Sequence, residues 1–105
     1  MRKYLVEVFL PLMDRQGSRI PKTTFKAVHS ELTNRFGGLT AHIRAPVVGV
    51  WKPKRRGRAE RDLIVIYEVM SSRLNARWWA NYRRTLEERF GQDEILIRAS
   101  AVTTL

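Results

Sequence analysis

The sequence predicts an α+β domain in which four antiparallel strands carry two helices on one face. Three observations predict it. Two segments repeat apolar residues every three or four positions and stop at a glycine. Four others have strand length and apolar or alternating character. The six fall in the order β-α-β-β-α-β, whose common compact solution is a sheet of spatial order 4-1-3-2.

The first strand runs from Tyr4 to Leu12, with Tyr4, Val6, Val8 and Leu10 on one face and Leu5, Glu7 and Phe9 on the other. "DRQGSRIPK" is polar, holds glycine and proline, and makes a loop. The first helix is expected over Lys22 to Phe36, its stripe formed by Phe25, Val28, Leu32 and Phe36. Gly37 supplies the left-handed residue that ends it. A second strand is expected from Leu39 to Trp51. Pro46 and Gly49 within it imply a sheet edge or a bulge, because proline removes a ladder donor.

"DLIVIYEVM", 62–70, is the strongest strand in the chain. Ser71 or Ser72 is expected to cap the next helix, Leu74 to Phe90, whose stripe is Trp79, Tyr82, Leu86 and Phe90. Trp78 sits beside that stripe, at the rim of the core. Arg83–Glu87 and Arg84–Glu88 are spaced to pair along the surface. Gly91 closes the helix, and the last strand spans Ile95 to Val102. The first and third strands, the most apolar, belong in the middle of the sheet.

At 105 residues and 44% apolar content, the whole chain, 1–105, reads as one domain able to bury a core. The absence of cysteine excludes a disulfide scaffold and thiolate metal sites, and His29 and His42 alone leave little for a metal cage. No metal and no cofactor are expected. No run approaches the roughly 18–20 apolar residues that span a bilayer, so no membrane role is expected. "MRKYLVEVFLPLMDRQG" has the basic head and apolar run of an export signal. Glu7 within the run, and no small-x-small site after it, argue for a cytoplasmic protein.

The face of the sheet away from the helices is expected to be too apolar for water. If Val6, Val8, Leu63, Val65 and Val69 meet the helices, Leu5, Phe9, Ile64, Ile66 and Met70 face outward. Each buried aliphatic side chain is worth about 1.5–3 kcal/mol, so exposure of several forgoes a large term. A homodimer packed through this face, or another partner there, is the expected cover. Glu7 and Glu68 share that face on neighbouring strands, and His42, Arg44 and Arg98 can share it. The set can line a pocket for a small polar ligand with a glutamate as acid or base, or form ion pairs within the sheet. The residues alone leave both open.

No nucleophile elbow, dinucleotide fingerprint or phosphate-binding glycine loop is present, and nothing nominates a catalytic triad. His29 flanks the stripe of the first helix as a packed residue. The net charge of +10 points to polyanions. Half of it sits in residues 52–61, where Lys52, Lys54, Arg55, Arg56, Arg58 and Arg61 face Glu60 alone, a net of +5. This insert is read as a solvated hairpin tip, with sequence-blind contact to nucleic-acid phosphates as the alternative. Base stacking on the central strands, as in RNA-binding domains of this topology, is not expected. The third strand lacks the aromatic signature and only Phe9 is available.

The motifs "RFGGLTA" (35–41), "GVW" (49–51) and "YRRTLEERFGQDEI" (82–95) resemble a family of short bacterial proteins of unknown function. In that family Phe-x-Gly-Leu-Thr, Gly-x-Trp and Tyr-x(n)-Phe-x-Gln recur on the same element plan. The resemblance spans residues 4–102 and implies a ferredoxin-like sandwich, similar to the dimeric α/β-barrel group in which the sheet faces of two subunits pack. Thr40, Trp51 and Gln92 match its pattern, and it implies no activity for them.

Overall fold

The computed structural model describes residues 1–44 and 63–105. Its elements are β1 (Arg2–Pro11), α1 (Lys22–Phe36), β2 (Thr40–Arg44), β3 (Ile64–Ser71), α2 (Ala76–Arg89) and β4 (Ile97–Thr103). The four strands form one antiparallel sheet in the order β2-β3-β1-β4, the expected ferredoxin-like arrangement. The expected run of the second strand from 45 to Trp51, with Pro46, and the basic segment 52–61 lie outside the described residues.

Alternation on the two central strands decides which face is filled. Val6, Val8 and Leu10 of β1 and Tyr67 and Val69 of β3 are buried in one cluster with Val28 and Leu32 of α1. Trp79, Tyr82, Leu86 and Phe90 complete it from the α2 side. Both expected stripes therefore point inward, and Val65 packs against the same cluster. Leu63 precedes β3 and is half-buried. Trp78 rims this core, its ring stacked on Tyr82 at 4.8 Å and 17°. His29 is exposed, its ring edge-on to Tyr67 at 6.0 Å.

Helix α1 matches its expected limits, and Gly37 ends it at φ 81° with its N–H on the Thr33 carbonyl. Helix α2 starts later than expected, because Asn75 rather than Ser71 or Ser72 is the cap. Asn75 Oδ1 accepts from the Trp78 N–H at 3.0 Å, while Ser71 is still in β3, opposite Tyr4. Arg83 pairs with Glu87 at 3.8 Å, but Arg84 donates to Asn81 instead of reaching Glu88. Strand β4 begins at Ile97. Ile95 is buried, and its N–H goes to Glu87 Oε2 rather than to the ladder.

The two helices are clamped to each other over the core. Arg89 donates Nη1 and Nη2 to the two oxygens of Glu31 at 2.7 and 2.9 Å, and the Tyr82 hydroxyl donates to Glu31 Oε1 at 2.7 Å. The hydrogen bond from Arg89 holds the Glu31 carboxyl below the ordinary value of 4.5, against desolvation, with the Tyr82 bond and the Arg89 charge adding to it. Burial, then the bond to Glu31, pushes the Tyr82 hydroxyl up.

A carboxyl whose folded value is depressed contributes stability above its ordinary value, and that contribution disappears as pH falls through the folded one. Glu31 is 40% exposed, so solvent screening keeps the contribution in the surface range of about 0.2–1 kcal/mol. Urea unfolding of wild type and Glu31→Gln is expected to differ by that amount at neutral pH. The gap is expected to close in acid below the ordinary glutamate value. A gap that persists there would remove the ionised clamp as its cause.

Candidate functional site

On the face of the sheet away from the core, register builds the row Arg98–Glu7–Glu68–Thr40 across four strands, charged on three of them. Glu7 of β1 pairs directly with Glu68 of β3. Outward on one side, Arg98 of β4 stands opposite Glu7. On the other, Thr40 of β2 stands opposite Glu68, with His42 two residues further along the same strand. Like charges directly opposite on neighbouring strands are destabilising. The edge strands answer with one cation or potential cation each.

Arg98 Nε donates to Glu7 Oε1 at 2.9 Å, and its guanidinium carbon lies 4.9 Å from the centre of the Phe9 ring. Phe9 thus braces the cation that neutralises Glu7. His42 Nε2 approaches Glu68 Oε1 at 3.0 Å but without hydrogen-bond alignment. That contact is therefore electrostatic, and it operates only when the imidazole is protonated. The carboxylates are well covered, at 15% exposed for Glu7 and 20% for Glu68. Arg44 pairs with Ile64 at the end of β2.

Apolar rows flank the charged one. Leu5 faces Met70 on one side of it, and Phe9 faces Ile66 on the other, with His42 beyond Ile66. The face is less bare than the sequence implies. Ile66 is only 1% exposed although it lies opposite the core, and Leu5, Phe9 and Ile64 are half-buried. Met70, at 42%, is the one residue of the expected five that is largely open, and Leu96, at 54%, joins it beside Phe9.

The structure therefore brings Glu7, Glu68, His42 and Arg98 together as one hydrogen-bonded ion pair, Arg98–Glu7, beside a His42–Glu68 contact that is an ion pair only with a protonated imidazole. The parity of Glu7 and Glu68 was readable from alternation. The partner of each was not, because pairing depends on the register of both edge strands. The braced Arg98–Phe9 contact was likewise invisible. The polyanion candidates Lys52, Lys54, Arg55, Arg56, Arg58 and Arg61 lie outside the described residues.

Gln92 has a structural position: its side-chain amide donates to the carbonyls of Met13 at 2.8 Å and Phe90 at 3.0 Å, tying the α2 exit to the loop after β1. Among the described residues no group of three or more His, Asp or Glu side chains is arranged to hold a metal ion, and no helix is long and apolar enough to cross a membrane. The chain matches no family model, no curated protein and no solved structure.

Proposed function

We propose that this protein works as a homodimer packed through the sheet face that carries Glu7 and Glu68. The observation that carries the reading is that face itself: four strands wide, with both helices on the other side, and holding apolar rows on either side of a paired-ion row. Area supports a second copy as the occupant. Four strands at roughly 4.8 Å spacing and eight residues at roughly 3.3 Å rise give a patch of about 500 Å². Two such patches together reach about 1,000 Å², where specific interfaces begin.

Charge supports it too. The row holds carboxylates in the middle and Arg98 at one end, so a second copy can offer its arginine to a carboxylate. A purely anionic or purely cationic partner leaves one sign unanswered. The pairing of Glu7 with Arg98 within the chain favours an interface over acid–base chemistry by that carboxylate on a small polar ligand. Covering the row takes it out of water, so Arg98 becomes indispensable: without it Glu7 would be buried unpaired.

The test uses the two large apolar residues of the outward face that are exposed, Met70 and Leu96. Met70→Lys with Leu96→Lys is expected to leave the fold intact and to weaken self-association at least about tenfold, or about 1.4 kcal/mol. Sedimentation equilibrium and circular dichroism read the two properties separately. Wild type sedimenting as single chains at concentrations well above a micromolar Kd would sink the proposal. So would a double variant that associates as tightly as wild type.

A further inference from the structure

We infer that the end of the molecule where β1 begins and α2 starts binds the phosphate backbone of nucleic acid, without reading its sequence. Topology collects four segments there. Tyr4 pairs with Ser71 and Arg2 with Thr103, which brings the start of β1, the end of β3 and the end of β4 together. The end of α1 joins them through Arg35 and Phe36, which pack on Trp78 in the first turn of α2.

None of the stretches 1–6, 32–39, 69–79 and 99–105, which meet at this end, contains an aspartate or a glutamate. They contribute Arg2, Lys3, Arg35, Arg73 and Arg77 to it, four of them exposed and Lys3 half-buried. No ion pair neutralises any of the five among the described residues. The other end is mixed in sign, and there Arg15 pairs with Asp93. Residues 45–62 join the sheet at that other end, between Arg44 and Ile64, since Ile64 pairs with Pro11 at the finish of β1. The basic end is built from described residues alone and uses none of residues 45–62.

Unanswered cations at one end repel each other and concentrate positive potential there, and a polyanion relieves both. Phosphodiesters suit the set because four of the five are arginines, whose planar forks bind phosphate oxygens in pairs. The aromatic geometry limits what is read. Arg35 lies 4.1 Å over the Trp78 ring while Tyr82 stacks on that ring at 4.8 Å. Two groups that close cannot share one face, so neither face is free to stack a base.

Contact is thus to the backbone, with Arg35 held in advance of binding. An anionic membrane is the weaker fit. The large apolar residues exposed here are Met1, Met70, Leu74 and Leu105, and none belongs to an exposed apolar helix face, because the apolar stripe of α2 is already buried in the core.

The test is fluorescence anisotropy with labelled duplexes and single strands of several sequences, titrated across salt. Wild type is expected to bind all sequences alike. Arg73→Ala with Arg77→Ala is expected to bind about tenfold more weakly, with a log–log salt slope on duplex shallower by about 2, or ~0.9 for each phosphate no longer neutralised. Arg73→Lys with Arg77→Lys keeps the charge and is expected to retain most of the affinity. Neutralising Arg55, Arg56 and Arg58 is expected to leave the dependence on Arg73 and Arg77 in place. Circular dichroism checks that each variant is folded.

The inference is overturned if the alanine pair binds as wild type does. It is also overturned if wild type binds phosphatidylserine vesicles but neither form of nucleic acid, or if one sequence is strongly preferred.

Discussion

Replacing Phe90 with alanine is expected to destabilise the protein by about 3–5 kcal/mol, a large part of the roughly 5–15 kcal/mol that holds a domain together. Phe90 follows α2 with no exposed surface and meets Phe25 of α1 edge-on, at 5.2 Å between ring centres and 81° between planes. Truncation loses the transfer term of a whole ring and leaves a cavity between two helices and the sheet. Leu32 and Leu86, also fully buried, are held in place by their own helices, so collapse into the gap is limited. Thermal or urea unfolding reads the effect, and at about 4 °C or more per kcal/mol the midpoint is expected to fall by more than about 12 °C. A loss under about 1 kcal/mol would mean that the ring is not the packed joint described.

The second large effect is expected at Gly91. Its φ of 58° disfavours any side chain, and a Cβ there would sit 2.9 Å from Asp14 Cβ. Asp14 cannot rotate that atom away, because it is the first of its side chain. It also cannot shift freely, because Asp14 Oδ1 accepts from the N–H groups of Gln16 and Ser18, at 2.9 Å each. The Gly91 carbonyl itself accepts from the Arg15 N–H at 3.1 Å. Gly91→Ala therefore combines backbone strain with a clash, about 2–4 kcal/mol in all.

Gly37 separates the two causes. It has φ 81° but nothing within 4 Å of its would-be Cβ, so Gly37→Ala should cost the strain alone, about 1–2 kcal/mol. Equal losses for the two variants in urea unfolding would remove the close approach to Asp14 from the account.

The same loop junction marks a boundary of what periodicity can reveal. Ile95 has the character of a strand residue, and the sequence places it in the last strand. It is instead a core anchor just before β4, because its N–H is taken by Glu87 Oε2 at 3.1 Å. The start of α2 differs for a similar reason. Ser71, Ser72 and Asn75 are all competent caps, and local preference does not choose among them. The ladder with β1 chooses, since Ser71 is occupied opposite Tyr4 and the helix must wait for Asn75.

At the candidate site the division is sharper. Alternation alone puts Glu7 and Glu68 on the same face, because side-chain direction in a strand has a period of two and needs no tertiary information. That Arg98 answers Glu7 and His42 approaches Glu68 required the alignment of residues far apart in the chain, 91 positions in the first case. Ile66 is buried on the outer face, between its cross-strand partners Phe9 and His42, which its own alternation does not predict. The basic end was present in the sequence only as four stretches lacking aspartate and glutamate, with nothing to say that they meet.

The amino-acid order by itself determined the six elements, the limits of α1, the inward stripes of both helices, the central places of β1 and β3, and the parity of the two glutamates. These follow from local periodicity, turn residues and the rule that an apolar face must be covered. Tertiary structure alone decided the ion-pair partners, the clamp of Arg89 and Tyr82 on Glu31, the cap of α2 and the gathering of unpaired cations at one end. Each of those depends on strand register or helix docking, which joins residues far apart in the chain and is set by the whole core rather than by any one segment.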